Sequence, residues 1–507
     1  MDFLHDDYFA RKANEYKKDL IHTKRKPISI VEMVENGECF QGLSANHCGV
    51  FSLPYSLGAG ESVIVDFGEH LVGRLCCSLS HDEYQIVDSP AMLEFCFGEF
   101  PLEIVKSPDE YRGVLGSGWI QRETRSVAIT PASISLDRRY SFRYLKISRR
   151  DTAKFPVIIS DIYADCTSAV NLDALAPISI ADETLKRIYD ASVRTLKECE
   201  QDVFEDGPKR DRRLWSGDLR LEALTDYVTF KNVDLVKRCI YLFAAYRYKH
   251  GFVSQCIFSE SYPYVYEYVF FDYSLFFISF LYDYSLRYDD KEFISELYPL
   301  ALEQAELAFE KFKQGDIKRS NKCFIDWCDG LDKSVAMLGV FVYTLRQLLE
   351  LAKTLSLETR TVEEKIAILS AELASYYDAQ KGIFVAESGQ ISWHSQIWGV
   401  LANVLPAEQN AKIISEICTL GTKYYPKTPY MMHYYIEALY ACGFKEEAME
   451  IIKDYWGEML DAGFDCCTEV FDTKNHFLSP YNSPELNSAC HAWSCTPAYW
   501  IHRYYNE

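Results

Sequence analysis

The chain has 507 residues and carries 74 acidic against 53 basic side chains, a formal net charge of −21. That balance argues against nucleic-acid and anionic-membrane partners, which need a basic footprint, and points to a neutral or small substrate. Hydrophobic content of 48% with 25% charged residues is globular composition, and the length predicts about two to four domains.

Residues 1–44 read as a short polar helix and a connection, an N-terminal extension. No cationic n-region with an apolar h-region opens the chain, so no signal peptide is expected. From residue 45 the texture is β. Val63–Gly68, Leu93–Gly98, Ser126–Thr130, Phe142–Ile147 and Val157–Tyr163 are short β-rich runs separated by turn residues, which predicts an antiparallel β-sandwich domain over 45–172.

After residue 173 the period switches to that of helices. Leu185, Ile188, Tyr189, Leu196 and Cys199 share one helical face. Similar segments fall near 218–231, 233–249, 272–288, 291–313, 334–355, 361–377, 394–403, 407–419, 430–442 and 445–459. Without a fixed-period repeat, they predict a bundle or α/α toroid over 173–507 rather than a solenoid. The most apolar run, Tyr268–Tyr284, is interrupted by Asp272 and Asp283 and is too short and polar to span a bilayer. The 17 cysteines include no C-x-x-C pair, and Cys76-Cys77 and Cys466-Cys467 are adjacent. This is neither a disulfide framework nor zinc-ligand spacing, and it suits a cytoplasmic protein with reduced thiols. Aromatic content of 15% fits sugar-stacking clefts and large packed cores equally well.

In a helical toroid, polar groups converge on the loops at one end, here 202–218, 254–273, 322–333, 385–396, 424–434 and 463–493. The first contains Asp206-Gly-Pro-Lys-Arg-Asp-Arg-Arg-Leu-Trp-Ser-Gly-Asp218, dense in charge and shaped by Pro208 and two glycines. Ser216 is placed to cap the helix that follows. One reading is a solvated connection. The other is a site in which Asp211 acts as an acid, Asp206 and Asp218 accept sugar hydroxyls, Arg210 orients a carboxylate and Trp215 stacks on a ring. Glu469 stands in the apolar run Cys466–Phe471, either facing solvent or paired in the interior. His491 and Trp493 follow in Asn487–Tyr499. Two carboxylates across a cleft are the equipment of glycoside hydrolysis. No Walker loop, G-x-G-x-x-G after a strand, H-E-x-x-H or G-x-S-x-G competes.

These blocks resemble a known family. Asp206–Asp218 is similar to the D-x-P-x-R-(D/E)…W-x-G-D signature of bacterial α-L-rhamnosidases, glycoside hydrolase family 78. Thr468–Phe471 resembles that family's T-x-W-E segment, and Ser488–Trp493 its S-x-x-H-x-W segment. The resemblance covers about residues 50–505 and implies an (α/α)6 barrel behind the β-sandwich. It further implies an inverting mechanism with Asp211 at the general-acid position and Glu469 at the general-base position. Asp206, Arg210, Asp218 and His491 fall where the family binds the sugar, Trp215 matches the signature Trp, and Trp327 matches an aromatic wall of the sugar subsite. The sequence departs from the pattern in having Asp rather than Glu at the acid position and Thr468 before the base. The usual C-terminal β-domain and additional N-terminal sugar-binding modules are expected to be missing.

The resulting expectation is an exo-glycosidase releasing terminal α-L-rhamnose, or a similar neutral sugar, from a small or oligosaccharide glycoside. It implies no metal, organic cofactor, nucleic acid or membrane partner, and leaves the oligomeric state open, a homodimer included. The rival readings are a hydrolase or lyase for another sugar and a non-catalytic sugar-binding protein.

Overall fold

The computed structural model describes residues 3–82, 89–175, 177–259, 263–265, 269–316 and 322–506. Parts of the 254–273 loop, 260–262 and 266–268, lie outside the described residues. The architecture is mixed, with a β-rich N-terminal region and a helical remainder.

Strand β1 (Phe3–His5) and helix α1 (Asp7–Glu15) precede β2 (Ile21–Arg25), β3 (Ser29–Glu35), β4 (Leu43–Val50), β5 (Tyr55–Leu57), β6 (Ser62–Ser80) and β7 (Ala91–Gly98). A short helix, α2 (Pro101–Val105), then leads to β8 (Arg122–Val127), β9 (Ala132–Ser135), β10 (Tyr140–Arg149) and β11 (Val157–Ser168). Strands β2–β11 form an antiparallel ten-stranded sheet along the path β2-β11-β6-β10-β7-β8. Alternation selects its core: Leu93, Phe95 and Phe97 of β7 and Val63, Val65 and Phe67 of β6 point inward. In β10 the inward residues change phase, from Tyr140 and Phe142 to Leu145 and Ile147. A register shift between Phe142 and Tyr144 causes this, because one extra residue in a strand reverses which face its side chains occupy. Residues 21–44, expected as an extension, instead supply strands to this sheet, with Ile30 opposite Val65 and Thr23 opposite Cys166. α1 and β1 stand apart from the sheet, packed on the helical part: Leu4 pairs with Arg247, and Phe9 stacks on Tyr241.

The helical part contains α3 (Glu183–Cys199), α4 (Ser216–Asp226), α5 (Val233–Ala245), α6 (Phe271–Ser285), α7 (Lys291–Lys313) and α8 (Ser334–Thr354). It continues through α9 (Arg360–Ala374), α10 (Trp393–Ala402), α11 (Ala407–Ser415), α12 (Pro429–Ala441), α13 (Lys445–Asp461) and α14 (Pro497–Asn506). Two kinds of helix alternate. α4, α6, α10 and α12 are buried nearly all round, whereas α9 buries one stripe, Val362, Ile366, Leu369 and Leu373. A helix apolar on every side belongs in a core, and a single stripe belongs on its outside. α8 has the length and composition of a membrane span, but packs mostly buried against α6 and α10.

The sheet docks on loops of the helical part. Arg139 bonds Glu205 at 2.5 Å, Arg212 donates to the Arg139 carbonyl, and the His70 N–H donates to Asp465. These contacts bring the β-rich region directly behind the charged loop.

Candidate active site

The charged loop is not solvated. Asp206, Lys209 and Arg210 are at most 4% exposed, which removes the reading of a free connection. Asp206 shapes it: its N–H donates to the Arg213 carbonyl, and its side chain accepts from the Arg213 N–H at 3.0 Å. The Asp206 carbonyl accepts from Ala492 N–H, joining this loop to the third sequence block. Between these anchors Asp211 and Arg212 are left-handed, with φ of 65° and 54°. Asp tolerates that conformation better than most side chains, and the turn presents it to the cavity. Ser216 is not the cap. It lies inside α4, its hydroxyl donating to the Gln255 carbonyl, while Trp215 precedes the helix without a side-chain capping bond.

Glu469 belongs to an irregular segment rather than a strand, and it is buried. The Glu469 N–H donates to the Ser488 carbonyl, Ser488 N–H returns to Oε2 at 3.1 Å, and Trp493 Nε1 donates to the Glu469 carbonyl. Arg210 Nη2 donates to both carboxylate oxygens, at 2.7 and 2.8 Å, and the Tyr481 hydroxyl donates to Oε1. Burial alone raises a carboxyl pKa, but Arg210, His491 and the Tyr481 bond outweigh it and bring Glu469 down to about 2. Arg210 also stacks over the Tyr481 ring at 4.2 Å.

These segments enclose a cavity of about 280 Å³ lined by Asp206, Arg210, Asp211, Trp215, Asp218, Trp327, Glu469 and His491, every site residue singled out from the sequence. Asp211 contacts Arg210 at 3.3 Å and Arg213 at 3.7 Å. His491 sits between Asp206, at 3.8 Å, and Asp218, at 3.7 Å. Burial, reinforced by neighbouring carboxylates, raises Asp206 and Asp218 well above the ordinary aspartate range. Asp218 Oδ1, His491 Nδ1 and Trp215 Nε1 are buried without hydrogen-bond partners among the described residues, as expected of groups aimed at a ligand.

Trp327 overhangs the cavity, 39% exposed, and meets Tyr481 edge-on at 6.2 Å. Its neighbour Asp326 turns inward as a knot, accepting from Thr428 Oγ1 and Lys427 N–H and contacting His394 Nε2 at 2.8 Å. Tyr481, Tyr273, Phe324, Phe270 and Gln255 also line the cavity and were not anticipated. Tyr481 lay in a named loop, but a Tyr among turn residues carries no periodic signal. A larger cavity of about 570 Å³ near Tyr282, Arg346 and Glu350 contains none of the three sequence blocks.

Gly217 makes room for the wall. A Cβ there would run into the buried Tyr273 ring, so Gly217→Ala is expected to destabilise the protein by about 1–3 kcal/mol through overpacking and to raise KM. Denaturant unfolding beside steady-state kinetics checks both effects.

The chain matches known proteins along nearly its whole length. Residues 27–166 match the glycosyl hydrolase family 78 α-rhamnosidase N-terminal domain. Residues 173–505 match the bacterial α-L-rhamnosidase six-hairpin glycosidase domain. A rhamnosidase from Klebsiella oxytoca, solved with rhamnose bound, is 36% identical, with a TM-score of 0.95 over 99% of this chain and 100% of that one. A family 78 rhamnosidase of Bacillus sp. GL1 shares the fold at 20% identity and a TM-score of 0.75, covering 90% of this chain and 49% of its own. The Streptomyces avermitilis α-L-rhamnosidase complexed with L-rhamnose does so at 14% identity and a TM-score of 0.66, covering 96% and 44%. No curated protein matches the chain. The chain therefore belongs to the bacterial α-L-rhamnosidases of glycoside hydrolase family 78 and is a glycoside hydrolase.

Proposed function

We propose that the protein is an inverting exo-glycosidase that removes a terminal α-L-rhamnosyl residue from small glycosides. Asp211 protonates the glycosidic oxygen as general acid. Glu469 takes a proton from the water that attacks the opposite face of the anomeric carbon. The observation that carries this reading is that both carboxylates contact one guanidinium, Arg210, on the wall of one cavity. The contacts, 3.3 Å to Asp211 and 2.7 Å to Glu469, use the two terminal nitrogens of that guanidinium, and inversion requires the carboxyl groups to stand roughly 6.5–9.5 Å apart.

Asp206, Asp218 and His491 suit ring hydroxyls, and Trp215, Tyr273, Phe324 and Trp327 provide apolar wall for a deoxy carbon. A compact cavity holding one sugar favours a terminal residue over the middle of a polymer. The alternation of buried and striped helices supports closure into an (α/α)6 barrel over 173–507, with residues 45–172 as the β-sandwich domain. A cytoplasmic location, which cell fractionation tests, would suit small imported glycosides.

The decisive experiment is hydrolysis of an aryl α-L-rhamnoside followed by proton NMR of the first-formed sugar. The expected product is β-L-rhamnose, which then mutarotates. No hydrolysis refutes the assignment of substrate, and α-L-rhamnose appearing first refutes inversion.

A further inference from the structure

Behind the loops that carry Glu469 and His491, the chain gathers a second set of reactive side chains. His70, Cys466 and Cys490 offer donor atoms that all lie within 4.8 Å of one another, and all three residues are buried. Cys199, at the end of α3, belongs to the same buried cluster.

The histidine is oriented from behind. Its Nε2 lies 3.2 Å from Glu99 Oε1 and 3.0 Å from Ser141 Oγ. Glu99 receives the Ser141 hydroxyl at 2.6 Å and Ala489 N–H at 2.6 Å, and Lys209 Nζ stands 3.4 Å away. A carboxylate so supplied is an acceptor, so the imidazole proton belongs on Nε2 and the lone pair on Nδ1. Nδ1 has no nitrogen or oxygen partner among the described residues, and the thiol of Cys466 is the group that interacts with the ring on the cluster side. A carboxylate holding the far nitrogen of a histidine whose near nitrogen faces thiols is the arrangement that orients a metal ligand.

We infer that His70, Cys466 and Cys490 bind one thiophilic divalent cation of the zinc class. The donor set is soft, as such ions prefer, and bonds of about 2.0–2.3 Å span at most roughly 4.3–4.6 Å between two donors, so one ion reaches all three once they close in by a few tenths of an ångström. On binding, each of the two cysteines loses its thiol proton to solvent, and the two thiolates balance the two positive charges of the ion. The buried site is then neutral. The donors come from β6, the segment just ahead of Glu469 and the residue beside His491, so no short spacing in the sequence links them. The ion ties the β-rich region to the two loops that wall the cavity and acts as a positioning element, not a reactant. This inference rests on the fold rather than on the rhamnosidase reading, and zinc stoichiometry tests it without substrate.

The test begins with the full chain purified from zinc-supplemented cells without chelator. Mass-spectrometric metal analysis is expected to find about one zinc per chain. Chelation and reconstitution with Co2+ should produce a thiolate-to-cobalt charge-transfer band and intense visible bands of a tetrahedral site. Cys490→Ser and Cys466→Ser should lose the metal, whereas Cys418→Ser, an exposed thiol outside the cluster, should retain it. If the first two variants fail to fold, the wild-type cobalt spectrum still decides. Wild-type protein that retains no zinc and shows no cobalt–thiolate band overturns the inference. So does peptide mapping that finds Cys466 joined to Cys490 as a disulfide.

Discussion

Glu469→Gln is expected to lower kcat on an aryl α-L-rhamnoside by about 10²–10⁴-fold, the usual share of a positioned acid or base. The substitution keeps the volume and hydrogen-bonding outline of the side chain but removes its charge and basicity. It also leaves Arg210 buried opposite a neutral group. Glu469 is held near 2 against an ordinary 4.5, so its ionised form stabilises the fold above about pH 4.5 and loses that effect as pH falls through about 2. The shift corresponds to roughly 3 kcal/mol at neutral pH, and the gap between wild type and variant should close in acid. Arg210→Met separates the two roles. Without the guanidinium, burial raises Glu469, and the acid limb of kcat/KM moves to higher pH. A limb that stays in place would mean that Arg210 does not set the charge of Glu469.

Asp218→Asn should pull activity and stability in opposite directions. Losing a carboxyl hydrogen-bond partner for the sugar is expected to lower kcat/KM by about 10–100-fold. The free protein, however, gains stability. Asp218 is buried with one oxygen unpartnered, and burial followed by the nearby Glu469 charge raises it well above 3.8. For a group raised in the folded state, the favourable contribution is complete below the unfolded value and disappears as pH rises. Above about pH 3.8 the unfolded chain ionises this aspartate while the folded chain resists. Asn has no proton to lose, so its advantage is absent in strong acid and grows toward neutrality, to about 1–3 kcal/mol. Melting curves at several pH values measure this directly. A uniform loss of stability at every pH would show that Asp218 supports the fold rather than straining it.

Much of this protein is legible in one dimension. The stripe Val362, Ile366, Leu369 and Leu373 is a helical period, and Leu93, Phe95 and Phe97 a strand period; both patterns survive folding because they are local. The three sequence blocks likewise identify the charged residues of the cavity and His491, since side-chain chemistry and order along the chain carry that resemblance. The partners do not appear there. Arg210 and Glu469 are 259 residues apart, and nothing between them announces that one will neutralise the other in the interior. Burial of the charged loop was equally hidden, because a run of Asp, Lys and Arg looks solvated until buried acceptors and counter-charges surround it. Residues 21–44 lacked a strong strand pattern and became strands by pairing with β6 and β11. The cluster of His70, Cys466 and Cys490 depends on docking the sheet against the loops. Local periodicity and residue chemistry thus determined the elements and the candidate groups. Only the tertiary structure decided their charge states and neighbours, because Coulomb and hydrogen-bond energies depend on distance in space, not separation along the chain.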